Sequence, residues 1–106
     1  MMRLEDLLGQ IEVLQRHELE LWIREELVVP QEEAGELLFS EKECARIRLI
    51  CTLRYELEID SEILPTVISL VDELYLTRQR LLSLTAAVAA QDEAVQAAIL
   101  AKLKGH

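Results

Sequence analysis

Apolar residues recur at three- and four-residue steps from the start of the chain, the spacing that lines up side chains on one face of an α-helix. Leu4, Leu7 and Leu8, followed by Ile11, predict a short first helix over Arg3 to Gln10, with Glu5 and Asp6 in its first turn where the helix dipole favours negative charge. Gly9 marks its expected end, and Ile11 to Gln15 is the turn into a second helix. That helix opens the stretch HELELWIREELVVP, His17 to Pro30. Leu19, Trp22, Ile23 and Leu27 are expected on its inward face, and Glu18, Leu21, Arg24 and Glu25 on the opposite one. Two short helices joined by a tight turn predict a helix-turn-helix, with the His17 helix as its second member.

Past Val28, Val29 and Pro30 come QEEAGE and then LLF, two apolar pieces joined by a polar turn containing glycine, the pattern of a small β-hairpin wing. Ser40 follows as an N-cap, with Glu43 three residues on to complete a capping box. Cys44, Ile47, Ile50, Cys51, Arg54 and Leu57 continue at helical intervals as a third helix that closes the core. At the junction EIDSEILP, Asp60 or Ser61 can cap a further helix, but proline is tolerated best in a first turn, so Pro65 moves the start toward Leu64.

From there a heptad frame runs through Val67, Leu74, Leu81, Val88 and Val95 at one position and Leu70, Thr77, Leu84, Gln91 and Ala98 at the other. So long an apolar seam on one helix needs a partner helix, and a homodimer through Val67, Leu70, Leu74, Leu81, Leu84 and Val88 is the economical source of one. Gln91 and Asp92 interrupt the Ala-rich end, so residues 92–104 can continue the rod, fold back as a short helix, or fray. The expected fold is mainly α: a winged helix-turn-helix over residues 1–60 with a small hairpin wing, then a long coiled-coil-type dimerisation helix over 61–106, together one compact unit.

Charge changes the picture. The net charge is −9, and residues 1–39 carry ten acids against three bases. The cluster Glu18, Glu20, Glu25, Glu26, Glu32, Glu33 and Glu36, against Arg16 and Arg24, stands where a DNA-reading helix and wing would present bases to phosphates. Such a surface excludes polyanions and draws basic partners, so a protein-binding face made of Glu18, Glu20, Leu21, Arg24, Glu25, Glu32 and Glu33 is expected in place of a nucleic-acid or membrane interface. The bland alternative is a merely solvated acidic face.

Candidate chemistry is sparse. With 106 residues the chain has little room for a cleft beside a core, and it holds no phosphate loop, nucleophile motif or metal-ligand spacing. A non-enzyme without cofactor or metal is expected. Cys44 and Cys51 lie about 10 Å apart along one helix, too far for a disulfide. His17 and His106 are isolated from them, so core packing fits both thiols better than a zinc site. Asp72 and Glu73 point about 100° apart on a helix and fit a solvated or ion-pairing role. Arg46, Arg48, Arg54, Arg78 and Arg80 are expected to pair with acids such as Glu43, Glu58 or Asp72. No run reaches the ~20 apolar residues of a membrane span, and MMRLEDLL lacks a signal peptide's basic start, so a soluble cytoplasmic protein is expected.

Three blocks, LELWIREELVVP, LLFSEKECARIRLICTLRYELEID and LPTVISLVDELYLTRQRLLSL, resemble in order and spacing the chaperone modulators of the CbpM type, relatives of the MerR-like helix-turn-helix regulators. The resemblance covers Leu19 to Leu84. It implies a non-enzymatic regulator that binds the J-domain of a DnaJ-like co-chaperone of the CbpA type and inhibits its co-chaperone and DNA-binding activities. J-domains present a basic helix, which agrees with the ligand that the charge pattern requires. The alternative is a MerR-like, dimeric, DNA-binding transcriptional regulator.

Overall fold

The computed structural model describes residues 1–105; His106 lies outside the described residues. Strand β1 (Met2–Arg3) leads into helix α1 (Leu4–Gln10) and helix α2 (Arg16–Arg24). Strands β2 (Gln31–Glu33) and β3 (Glu36–Phe39) precede helix α3 (Glu41–Cys51), which runs into a π-helical turn over Thr52–Glu56. Helices α4 (Leu64–Ala89) and α5 (Glu93–Lys104) complete the chain. The chain divides into two compact units, Met1–Ser69 and Leu70–His106, with the boundary inside α4.

The first unit holds the core. Leu7 of α1, Leu19 and Trp22 of α2, Phe39 of β3, Ile47 and Ile50 of α3, and Leu64 and Ile68 of α4 are all buried in one cluster. Gly9 does not end α1. It has no left-handed backbone, and the helix closes at Gln10 with the Ile11 N–H donating to the Leu7 carbonyl at 2.9 Å.

Helix α2 stops earlier than its apolar spacing suggests, because Glu26 adopts φ 61. The Leu27 N–H then reaches the Trp22 carbonyl at 2.9 Å and the Glu26 N–H reaches Ile23 at 3.1 Å. This is the Schellman closure, with glutamate in the position glycine usually fills. Leu27 is therefore buried as the residue that folds back over Trp22, not as a further position on the helix face.

The wing is real, but its first strand is the polar QEE and not the apolar Val28–Val29 piece. Gln31, Glu32 and Glu33 pair antiparallel with Leu38, Leu37 and Glu36 around a two-residue turn. Ala34 (φ 50) and Gly35 (φ 81) both have positive φ, as the tight turn matching strand twist requires. Val28 is instead buried in the core. Met2 and Arg3 add a third strand beside Phe39 and Leu38, giving the order β1-β3-β2; two residues are too few to show as a strand pattern in sequence.

Ser40 caps α3 by accepting from the Glu43 N–H at 3.2 Å, and the Glu43 carboxylate accepts from the Val29 N–H at 3.1 Å, tying the helix start to the chain entering the wing. Cys44, Ile47, Ile50 and Cys51 are buried as their spacing predicts. The π-turn then takes more residues per turn than an α-helix, so the phase shifts: Leu53 is buried, Tyr55 packs half-buried against the core, and Leu57 is exposed.

Helix α4 starts at Leu64, with Pro65 in its first turn and the Leu64 N–H donating to the Asp60 carbonyl. Leu64 and Ile68 are buried, and Val67 packs half-buried on the same core, so Val67 serves the first unit and the exposed seam begins at Leu70. In the second unit Leu70, Leu74, Leu81 and Leu84 are exposed, Leu74 to 70%, while Val88 is half-buried. The rod does not continue through Gln91. Asp92 caps a separate α5 by accepting from the Val95 N–H at 2.9 Å, and the Gln96 amide donates back to the Gln91 carbonyl at 2.8 Å. The heptad frame thus ends at Val88, before Val95 and Ala98.

Candidate functional site

The residues proposed from sequence as a binding face separate into three settings. Glu20, Arg24 and Glu25 are exposed on α2, and Leu21 is half-buried. Glu32 and Glu33 are exposed on β2, with Glu33 directly opposite Glu36 across the hairpin. Like charges in that position repel. Glu18 is the exception: it stands one helical turn before Trp22, so it shares the inward side of α2 and its side chain is only 12% exposed.

Glu18 has internal partners. The Tyr55 hydroxyl donates to its Oε2 at 2.6 Å, and the Arg54 guanidinium lies 3.7 Å from its Oε1. Arg54 also donates through Nε to Ser61 Oγ at 3.1 Å and sits 5.9 Å from the centre of the Tyr55 ring. Tyr55 in turn packs at a tilt on Trp22, with ring centres 6.4 Å apart. The π-turn, whose sequence TLRYE supplies both Arg54 and Tyr55, makes this node possible. Burial and the bond to Glu18 push the Tyr55 hydroxyl above its usual range, and burial, with Glu18 nearby, pushes the Cys51 thiol up to about 11. Cys51 is therefore a neutral, packed thiol rather than a nucleophile or ligand.

A cleft of about 330 Å³ brings Glu20 of α2 together with Glu5 and Leu4 of α1, Arg3 and Glu36. Arg16 donates to both carboxylate oxygens of Glu5, at 2.5 and 2.6 Å, and Arg3 lies 3.7 Å from Glu36. The Arg16 guanidinium holds the Glu5 carboxyl below its ordinary range, while the bond to Glu5 raises Arg16, with a smaller contribution from Glu20.

The same engagement holds for the other cations of this unit. Arg46 donates to the Leu27 carbonyl, Arg48 to Gln10 Oε1 at 3.3 Å, and Arg54 to the Glu18 node, rather than to Glu58 as its spacing suggests. Among the lysines and arginines of the described residues of Met1–Ser69, only the side chains of Arg24 and Lys42 make no hydrogen bond or ion pair. Residues 1–69 hold sixteen acids against seven bases, and residues 70–106 hold four of each, so the whole net charge belongs to the first unit. Sequence reasoning expected Arg54 to pair with an acid but not with Glu18, named Arg16 without its Glu5 partner, and missed Tyr55. The four-residue step from Glu18 to Trp22 was the available signal that Glu18 turns inward.

Two short helices joined by a turn, a hairpin wing beside them and a third helix closing a shared core define a winged helix-turn-helix protein. The chain belongs to the MerR helix-turn-helix family: the family model described as "MerR HTH family regulatory protein" matches residues 2–59, more than half of its length. No curated protein and no solved structure matches the chain. No helix among the described residues is long and apolar enough to cross a membrane.

Proposed function

We propose that this chain is a non-enzymatic, cytoplasmic adaptor that uses a helix-turn-helix scaffold to bind protein: its acidic first unit docks on the basic helix of a J-domain in a DnaJ-like co-chaperone and blocks that helix from Hsp70. The observation that carries the reading is the state of the cations. A DNA-binding unit needs several lysines and arginines free to meet phosphates. Here Arg3, Arg16 and Arg54 already face carboxylates, and the surface around them is strongly negative. Releasing each for phosphate would cost its existing pair. A basic helix meets the opposite situation, with Glu20, Glu25, Glu32 and Glu33 exposed to steer it.

The exposed leucines of α4 support a homodimer through Leu70, Leu74, Leu81 and Leu84, which would present two acidic faces at once. Family membership favours the second reading, a DNA-binding regulator. The test is the ATPase of Hsp70 stimulated by a J-domain co-chaperone, with the chain added in increasing amounts. The proposal expects stimulation to fall toward the basal rate and Glu20→Lys/Glu25→Lys to weaken the inhibition. Undiminished stimulation at a large molar excess would refute it.

A further inference from the structure

Between the α1–α2 turn and the C-terminal end of α3 lies a groove of about 520 Å³, contained within the first unit. Ile11 and Val13 come from the turn, Tyr55 from the π-turn, and the buried Cys51 from the end of α3. The turn splits two neighbouring apolar residues: Leu14 is buried in the core, while Val13 stays 57% exposed. The π-turn sets the other side, since its altered phase brings Thr52 and Tyr55 into the lining. Single π-turns inserted in helices recur at functional sites.

The polar part of the lining is distinctive. Glu12 and Glu56 are exposed, and neither has a hydrogen-bond or ion-pair partner among the described residues. Arg48, the cation in this lining, donates to Gln10 Oε1. An apolar floor with two unpaired carboxylates beside it suits one apolar side chain flanked by cations. A polyanion, or the acidic first unit of another copy, would be repelled by the net negative charge of this unit, sixteen acids against seven bases over residues 1–69, and by Glu12 and Glu56 in the lining.

We propose, resting on the adaptor reading above, that this groove is the anchor site for a basic amphipathic helix of the partner protein. One leucine- or phenylalanine-sized side chain packs among Ile11, Val13 and Tyr55, and lysines or arginines a turn away on the same helix meet Glu12 and Glu56. The outer acids of α2 and the wing then steer the encounter, and the groove holds the complex. Anchors of this kind govern the off-rate, while rim charges govern the on-rate.

The experiment measures binding kinetics of the full chain against two probes: the isolated J-domain of a DnaJ-like co-chaperone, and a synthetic Lys/Leu peptide with leucines at helical spacing. A peptide of the same composition without the apolar stripe is the control. Val13→Asp should weaken both complexes tenfold or more through a faster off-rate, with an unchanged thermal melt because Val13 is exposed. Val13→Ala should do the same to a smaller degree, and covers the case in which the aspartate disturbs the turn. Glu12→Lys/Glu56→Lys should slow association and flatten its salt dependence. If the J-domain binds and both Val13 variants match the wild type, the groove is overturned and the adaptor reading stands. Peptide binding that depends on Val13, with no J-domain binding, would support the groove and refute the adaptor reading. Wild-type binding to neither probe, or equally to the control peptide, would overturn both.

Discussion

Glu18→Lys should cost the first unit about 2.5–4 kcal/mol of stability, a sum of two contributions that the structure supplies separately. The Tyr55 hydroxyl donates to the Glu18 carboxylate at 2.6 Å, and a hydrogen bond to an ionised acceptor contributes about 1.5–3 kcal/mol. Lysine offers no acceptor, so the half-buried hydroxyl loses the acceptor of its proton. The Arg54 guanidinium, 3.7 Å from the carboxylate and 30% exposed, would face an ammonium instead. Turning that partly screened attraction into repulsion adds on the order of 1 kcal/mol. The assay is urea unfolding followed by the fluorescence of Trp22, the single tryptophan, which packs on the Tyr55 ring. The midpoint should fall with the slope unchanged. Exposed Glu25→Lys serves as the control and should stay within about 0.5 kcal/mol of the wild type. In a double-mutant cycle with Tyr55→Phe the two losses should be less than additive, because they remove the same bond. A Glu18→Lys protein as stable as the Glu25→Lys control, or strict additivity in the cycle, would refute the node.

Glu26→Gly should stabilise the chain by about 1 kcal/mol, since φ 61 costs a glutamate what it does not cost a glycine, and a lowered melting temperature would contradict the Schellman closure. Stability should fall as pH rises from about 9 toward 11, because the folded state holds the Cys51 thiol proton up to about 11 against 9.0 ordinarily, with Tyr55 shifted in the same direction. The unfolded chain releases that proton first, so the contribution is complete below the ordinary value and is lost above it. Cys51→Ala should give a shallower alkaline slope in urea titrations, and an unchanged slope would count against the assignment. Leu74→Asp or Leu81→Asp should convert the proposed dimer into monomers, each placing an unpaired charge in the seam; light scattering that finds the wild type monomeric at high concentration would dismiss the seam.

Periodicity and capping chemistry made much of this fold legible in sequence. The Ser40 cap, the buried face Cys44–Ile47–Ile50–Cys51 and the late start of α4 at Leu64 each follow from local rules that the structure obeys. What escaped lay where the helical period breaks. Leu27 keeps the spacing of a helix face but is buried by a left-handed Glu26, which nothing in its residue type announces. Leu57 keeps the spacing of α3, yet the π-turn rotates it out into solvent. The wing strand QEE has no apolar alternation because both of its faces are exposed, so only its turn was visible. The candidate site was legible as a charge imbalance and not as geometry. Opposite charges found each other across 36 residues from Glu18 to Arg54, and 11 from Glu5 to Arg16, separations that local patterns do not reach.

The central claim is that the helix-turn-helix of this chain has exchanged nucleic acid for a basic protein helix. The most direct measurement is a competition at about 0.15 M salt, near physiological ionic strength. Labelled J-domain and labelled duplex DNA are offered together to the full chain, and the bound fraction of each is read as the chain is titrated. The account expects saturable J-domain binding that weakens with added salt, and DNA that stays free throughout. DNA captured in the micromolar range or tighter, with the J-domain left unbound, would contradict it.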